Sequence, residues 1–284
     1  MYNKIIQYYV ISECIMDLRQ SIPITSIRNA RELGGYMTAD GRKIRSGVLL
    51  RTASLNGISD ADSHLLTDTY RLQYIIDFRM PMEMVNAEDP PISGASYHHL
   101  DVIDMNDFLP QDDPVIDFSQ TDLIRMVELS EQAGMVNEYM YIGFLTSAFG
   151  RKAFAEFFRF LLSADPERAV LWHCTSGKDR TGLAAMLTLS ALGVEESVII
   201  EDYLLTNQFN AQRIAQTSQY LEMKGCDEAF IQKAVLMFDA VDERYMRNAI
   251  AHLKKEYGSV AGYIREGLCV SQSDIAALRE KYLN

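Results

Sequence analysis

The spacing of apolar residues changes character along the chain, and the changes mark its elements. KIRSGVLLR (43–51) alternates and then becomes apolar, as a strand entering a core does, and Asp40-Gly41 before it is a hairpin turn signal. Ser59 with Asp62 three residues on is a capping box opening a helix of about ten residues. LQYIIDF (72–78) is a short β-favouring run that predicts a buried strand, and YHHLDV (97–102) predicts another. Between them, Pro81, Pro90, Pro91 and Gly94 are turn-prone. Residues 101–120 are acidic, contain Pro110 and Pro114, and predict a long irregular loop. From 120 to 163 the pattern is helical, and in KAFAEFFRFLLSA (152–164) aromatic and aliphatic residues recur at i, i+3, i+4, the mark of a core-facing stripe. RAVLW (168–172) reads as a strand, LAAMLTLSALG (183–193) as a helix stopped by Gly193, and 195–284 as a series of helices, the last opened by a box of Ser271 and Asp274. Strands alternating with helices predict an α/β core. There is no repeat or linker, so residues 1–284 are expected to form one domain: a core over about 22–193 and a helical part over 194–284. Residues 101–140 and parts of 195–250 are expected to lie over the pocket as lids.

Composition narrows the function classes. Lys and Arg number 27 and Asp and Glu 39, for a net charge of −12. That balance opposes a nucleic-acid binder, which presents a basic surface. Hydrophobic residues make up 48 % and charged residues 23 %, a globular composition. No apolar stretch is long enough to span a membrane, and the N-terminal run is interrupted by Gln7, Ser12, Glu13 and Asp17, unlike a signal peptide. Cys14, Cys174, Cys226 and Cys269 are far apart with no ligand-like spacing, which predicts neither a zinc site nor a disulfide framework. A reducing, cytoplasmic setting is the expectation.

The chemistry concentrates between a strand and a helix, in HCTSGKDRTG (173–182). A cysteine leaves the end of a buried strand, and six residues later an arginine opens a helix. The short loop between them can turn its backbone N–H groups inward as an anion-binding nest at a helix N-terminus. Arg180 can grip two phosphate oxygens with its planar fork. The same positive field favours the thiolate of Cys174, which would then face a bound phosphate as covalent phosphoryl transfer requires. Thr181 can offer its hydroxyl to the sulfur, and an exposed thiolate here would be open to reversible oxidation. Lys178 supplies a cation for a second phosphate. A nucleotide-binding loop is excluded, because Trp172 stands where its first glycine would be and Asp179 follows Lys178.

HCTSGKDRTG resembles the signature loop of the cysteine-dependent protein tyrosine phosphatase superfamily, and more closely its bacterial atypical branch of tyrosine and lipid phosphatases, whose loop reads HCxxGKDRTG. Two upstream blocks are similar to that branch. One is IPITSIRNARELGGYMTADGRKIRSGVLLRTASL. The other is IIDFRMPMEM, with Phe78 in place of the usual leucine. The resemblance implies a central, mostly parallel sheet flanked by helices, no metal or cofactor, and hydrolysis through a phosphocysteine. It makes Cys174 the nucleophile and Arg180 the phosphate clamp. Thr175, Ser176, Gly177, Lys178 and Asp179 supply loop amides, and His173 orients the loop. Asp77 matches the aspartate assigned as general acid in the branch, with Asp179, then Asp101 and Asp104, as the alternatives. Arg79 is either a substrate contact or the partner of Glu83 in a surface bridge. Asn29, Arg31, Gly34 and Gly35 are expected to pack beneath the loop. The implied substrates are phosphotyrosine proteins or small phosphomonoesters, with phosphoserine, phosphothreonine and phosphoinositides as further classes. An acidic surround weakens the lipid reading but leaves a local phosphate pocket intact over a Debye length of about 8 Å. Two other classes use an anion-binding loop: a rhodanese-like sulfurtransferase or arsenate reductase, and a non-catalytic phosphate-binding module. Sulfurtransferase loops lack the Asp-Arg-Thr-Gly ending, and arsenate reduction needs a neighbouring second cysteine.

Overall fold

A computed structural model of the chain describes residues 20–104, 122–132 and 137–284. Cys14 and most of the expected 101–120 loop lie outside the described residues. Among the described residues, five strands form one sheet: β1 (Arg31–Glu32), β2 (Leu49–Thr52), β3 (Tyr74–Asp77), β4 (Ser96–His99) and β5 (Val170–His173). Their spatial order is β1-β2-β5-β3-β4, with β1 antiparallel to β2 and every other pairing parallel.

The central strands are apolar on both faces because both are covered. Leu49, Ile76, Val170 and Trp172 point into one hydrophobic cluster, while Leu50, Ile75 and Leu171 point into a second, with Ile22, Ile24, Ile27 and Leu66. The helix α1 (Asp60–Asp68) supplies Leu66 and is capped by Ser59 as expected, but the Asp62 side chain turns away to bond Ser26 and the Thr25 amide. The short α2 (Pro81–Met84) follows β3.

Among its described residues, the helical stretch expected over 120–163 contains three helices, α3 (Leu123–Gln132), α4 (Met140–Thr146) and α5 (Ala148–Ser163). The aromatic stripe of α5 is core: Phe154, Phe157, Phe158 and Leu161 are buried, with Phe157 packing edge-on to Trp172 at 5.3 Å between ring centroids. Phe78 packs against both Phe154 and Phe157, at 5.6 and 5.5 Å, which gives the larger ring at that position its packing role.

The helix α6 (Arg180–Leu192) runs through the interior with only Ser190 outside the buried set, and Gly193 ends it at φ 88°. Six helices follow: α7 (Glu196–Phe209), α8 (Ala211–Met223), α9 (Glu228–Phe238), α10 (Glu243–Tyr257), α11 (Val260–Glu266) and α12 (Gln272–Tyr282). The α12 capping box of Ser271 and Asp274 closes in both directions. A satellite core of Val127, Leu221, Ile231, Ala234 and Val235 joins α3 to α8 and α9.

Parallel pairing brings four carboxyl ends to one edge of the sheet. Ser54 follows β2; Asp77, Arg79 and Glu83 end or follow β3; Asp101 follows β4; and the 174–180 loop follows β5. Open α/β sheets bind ligands at that edge.

Candidate active site

The loop after β5 is built so that its carbonyls and its amides do different things. The Thr175 carbonyl accepts from the Ser54 amide at 3.3 Å. Asn29 Nδ2 donates to the Ser176 and Gly177 carbonyls at 3.3 and 2.8 Å, and Arg51 Nη2 to Gly177 at 2.9 Å. The Lys178 and Asp179 carbonyls accept from Gly182 and Leu183 at 3.1 and 2.8 Å, as α6 begins. Every carbonyl from 175 to 179 is therefore tied back into the protein. The N–H groups of the same residues donate to no group among the described residues. Gly177 permits the turn: it sits at φ 65°, and a Cβ there would lie 2.3 Å from the Thr52 carbonyl oxygen.

The supports beneath the loop are themselves held. Arg31 and Arg51 share the buried carboxylate of Asp202 on α7, at 3.3 and 2.7 Å, and Arg31 Nη1 also donates to Asn29. Asn29 and Arg31 therefore lie where the sequence places them. Gly34 and Gly35 pack instead against the 43–46 segment: a Cβ on Gly34 would lie 2.5 Å from Ser46 Cα, and the Gly35 amide donates to the Ile44 carbonyl at 2.8 Å. Sequence reasoning does not single out Arg51 or Asp202. A signal for Arg51 is present, since a charged residue within an apolar strand needs a buried partner.

Above the loop stands Glu83. Arg180 meets it end-on, Nη1 to Oε2 at 2.5 Å and Nη2 to Oε1 at 2.8 Å, and Nη1 also donates to the Phe78 carbonyl at 3.1 Å. That geometry consumes three of the five guanidinium N–H groups. The side-on fork, Nε–H with the second Nη2–H, has no partner among the described residues and is the remaining bidentate face. Thr175 Oγ1 donates to Glu83 Oε1 at 2.5 Å, so the carboxylate spans the loop from Thr175 to Arg180. Burial works to raise the Glu83 carboxyl, but Arg180 outweighs it and holds it below its ordinary value. The expected Arg79–Glu83 surface bridge is thus replaced by a Glu83–Arg180 pair.

Cys174 is completely buried, not exposed as the sequence implies. It follows directly on the last residue of β5 and begins the loop that ends at Arg180. Thr181 Oγ1 is buried without a hydrogen-bond partner, so the expected bond to sulfur is not made in this structure. Lys178 is 4 % exposed. Its Nζ donates to Asp179 at 3.1 Å and to the Leu236 carbonyl at 3.0 Å, near the end of α9 where helix carbonyls lack partners. Ser176 Oγ reaches the Phe238 carbonyl in the same turn, at 3.0 Å.

The carboxylates differ sharply. Asp77 is fully buried against Arg79, whose Nε and Nη2 both bond it, and Tyr97 donates to it at 2.7 Å. Arg79 Nη2 also bonds Asp89 at 2.8 Å, and Nη1 bonds Ser54 and the Ala87 carbonyl at 3.0 and 2.7 Å. All five donors of Arg79 are spent and the side chain is 1 % exposed, so it has nothing left for a substrate. His173 stands on the same cluster, with Nε2 3.0 Å from Asp89 and Nδ1 3.7 Å from Asp77. Asp77, Asp89 and His173 are close enough to hold a cation, but the Arg79 guanidinium already bridges the two carboxylates. Burial would raise Asp77, yet His173 and Arg79 outweigh it and hold the carboxyl at about 2.

Asp179 accepts from Tyr141 at 2.5 Å and from Lys178 at 3.1 Å, so its carboxylate is already engaged by two donors. Asp101 is a different case. It is half-buried, burial raises its carboxyl, and it feels both Arg180 and Glu83. Asp101 Oδ1 accepts from the Ile103 amide at 3.1 Å in a short turn around the fully buried Val102, and the half-buried Asp104 lies just beyond it.

The Arg79 cluster should be visible in unfolding experiments. Replacing Arg79 by Gln leaves two buried carboxylates without their cation, and should cost roughly 3–5 kcal/mol in urea unfolding. A substrate-contact role would instead raise KM and leave the unfolding midpoint in place. Because the folded-state carboxyl of Asp77 lies below its unfolded value, its contribution is complete above about pH 4 and is lost as pH falls towards about 2. Acid titration of unfolding should show a loss of roughly 2 kcal/mol across that window, absent in Asp77→Asn.

The sequence profile of the tyrosine phosphatase family matches residues 22–284. A protein of Cupriavidus necator that carries the name of a tyrosine-protein phosphatase is 33 % identical over 271 residues, covering 93 % of this chain and 89 % of the relative. A triple specificity protein phosphatase of Mycobacterium tuberculosis is 32 % identical over 120 residues, 39 % of this chain and 43 % of that one. A tyrosine-protein phosphatase of Nostoc commune is 25 % identical over 245 residues, 83 % and 74 % of the two chains.

Proposed function

Since the chain belongs to the tyrosine phosphatase family, we propose that it hydrolyses phosphotyrosine monoesters through a phosphocysteine formed on Cys174. One observation carries the reading: the loop ties back five successive carbonyls and leaves the five matching amides without a partner among the described residues. Phosphoryl oxygens sit on those amides and on the side-on fork of Arg180. The Cys174 thiolate attacks phosphorus in line, the S–P bond forms, and the bond to the leaving oxygen breaks. Water then attacks phosphorus, and the S–P bond breaks to return the thiolate. Thr181 offers its unpaired hydroxyl to the departing sulfur. Fixed donors aimed at developing charge supply most of the rate.

Asp101 is the aspartate best suited to protonate the leaving oxygen and later to take the proton from water. Burial favours its protonated form, whereas Asp77 is held ionised. Asp77 and Arg79 then act as positioning residues that fix His173 and the strand end. With Ser176 and Lys178 bonded to α9, the helical part belongs to the same phosphatase unit. A cytoplasmic setting belongs to this reading; Cys174, Cys226 and Cys269 form no disulfide among the described residues. No helix among the described residues is long and apolar enough to cross a membrane.

A panel of phosphotyrosine peptide, phosphoserine peptide and phosphoinositide tests the substrate class, with phosphotyrosine expected to be turned over fastest. No turnover of any of the three sinks the reading. Asp101→Asn should lower kcat on phenyl phosphate about 100-fold and much less on p-nitrophenyl phosphate, whose phenolate leaves without a proton. Equal losses on both would return the role to Asp179.

A further inference from the structure

We propose that Arg28 and Arg213 form a second anion subsite at the rim of the catalytic loop, which takes a second phosphate on the same small substrate molecule. The proposal rests on the phosphatase reading of the loop. Lys178, the cation that the sequence offers for this task, is buried and committed to Asp179 and the Leu236 carbonyl. A second phosphate needs its countercharge elsewhere.

Arg28 and Arg213 are 43 % and 47 % exposed, and both lean on one buried carboxylate, Asp239, at 3.6 and 3.4 Å. The other oxygen of Asp239 is taken by Thr217 Oγ1 at 2.6 Å. Two guanidinium groups thus share one negative charge, a local surplus of one positive charge in a chain of net −12. Arg213 spends only Nε on Asp239, and its two η nitrogens have no hydrogen-bond partner among the described residues. The arginines are close enough to repel: burial lowers the Arg28 pKa, Asp239 opposes that, and Arg213 lowers it further.

The segments that carry Arg28 and its partner Asp239 both bond the same loop residue. Arg28 precedes Asn29, whose Nδ2 reaches the Ser176 carbonyl at 3.3 Å. Asp239 follows Phe238, whose carbonyl accepts from Ser176 Oγ at 3.0 Å. Ser176 is two residues from the nucleophile, a reach of about 7 Å of extended chain. Arg213 also lies in the first turn of α8, where the helix's positive end disfavours a cation and no acidic residue of that turn offsets it. An anion relieves both repulsions, and planar forks suit phosphate. Attachment of both segments to Ser176, two residues from the nucleophile, favours two phosphates on one ring, as in an inositol bisphosphate headgroup, free or lipid-borne, over a second phosphoresidue along a peptide.

The test compares wild type with Arg28→Gln/Arg213→Gln and with Arg28→Lys/Arg213→Lys, which keeps the charge and guards against a folding defect. The substrates are phenyl phosphate, a soluble inositol bisphosphate, the same headgroup in phosphatidylcholine vesicles, and a doubly phosphorylated peptide. KM for the inositol bisphosphate should rise tenfold or more in the Gln pair and less in the Lys pair, with phenyl phosphate changed less than about twofold. A rise with the free headgroup assigns the site to soluble substrates, and one confined to vesicles assigns it to lipid; either supports the subsite. Equal losses on phenyl phosphate and bisphosphate, no change, or a loss confined to the peptide overturn it. Failure of wild type to hydrolyse phenyl phosphate would instead bring down the phosphatase reading, and the subsite with it.

Discussion

Cys174→Ser should leave a folded protein that binds phosphate esters and hydrolyses none of them. The substitution exchanges sulfur for oxygen at a fully buried position, so packing changes little. The amides of 175–179 and the Arg180 fork, the proposed binding groups, are untouched. What is lost is the proposed nucleophile, because an alcohol oxygen is a far weaker nucleophile than a thiolate sulfur. Turnover of phenyl phosphate should fall at least about 10⁴-fold, with binding of the ester retained in a direct titration. Activity within tenfold of wild type would exclude a phosphocysteine.

Arg180→Lys should cost about 10³ in kcat, close to the loss seen when a preorganised donor is removed from an oxyanion site. A lysine keeps the charge and loses the geometry. It cannot meet Glu83 end-on, reach the Phe78 carbonyl and present a side-on fork to phosphate at once. Glu83 would then be a half-buried carboxylate with one fewer fixed donor, so a fall in the unfolding midpoint should accompany the loss. Glu83→Gln separates the two effects, because it weakens the end-on pair and leaves the phosphate-facing fork in place. Its loss in kcat should be smaller. An Arg180→Lys enzyme with near-normal kcat and a raised KM would make Arg180 a binding group only.

Structure is legible in the sequence where it depends on neighbours in the chain. The strand over 72–78, the α5 stripe, the Gly193 stop and the α12 box are set by periodicity and capping, which act within a few residues. The loop is of the same kind. Its cysteine, glycine and arginine are close in sequence and their chemistry follows from spacing. The partners of Arg79 and Glu83 are not legible in that way. Four residues apart, they suggest a helical surface pair, but α2 is too short and β3 ends too deep for that. Arg79 turns under the strand end to Asp77 and Asp89, and Glu83 turns over the loop to Arg180.

By itself, then, the sequence determined the alternation of strands and helices, the loop between β5 and α6, and the residues proposed as nucleophile and clamp. Each depends on backbone geometry over a few residues or on one side chain's chemistry. The tertiary structure decided which carboxylates are held ionised, which cations are spent and which are exposed. Asp77 and Asp101 are the same residue type near the ends of neighbouring strands; burial raises both, but His173 from β5 and a folded-back Arg79 hold Asp77 down while burial prevails at Asp101. Lys178 looks free in the chain and is consumed in the fold, whereas Arg28 and Arg213, 185 positions apart, meet on one carboxylate. Long-range packing sets those partners, and no local pattern encodes them.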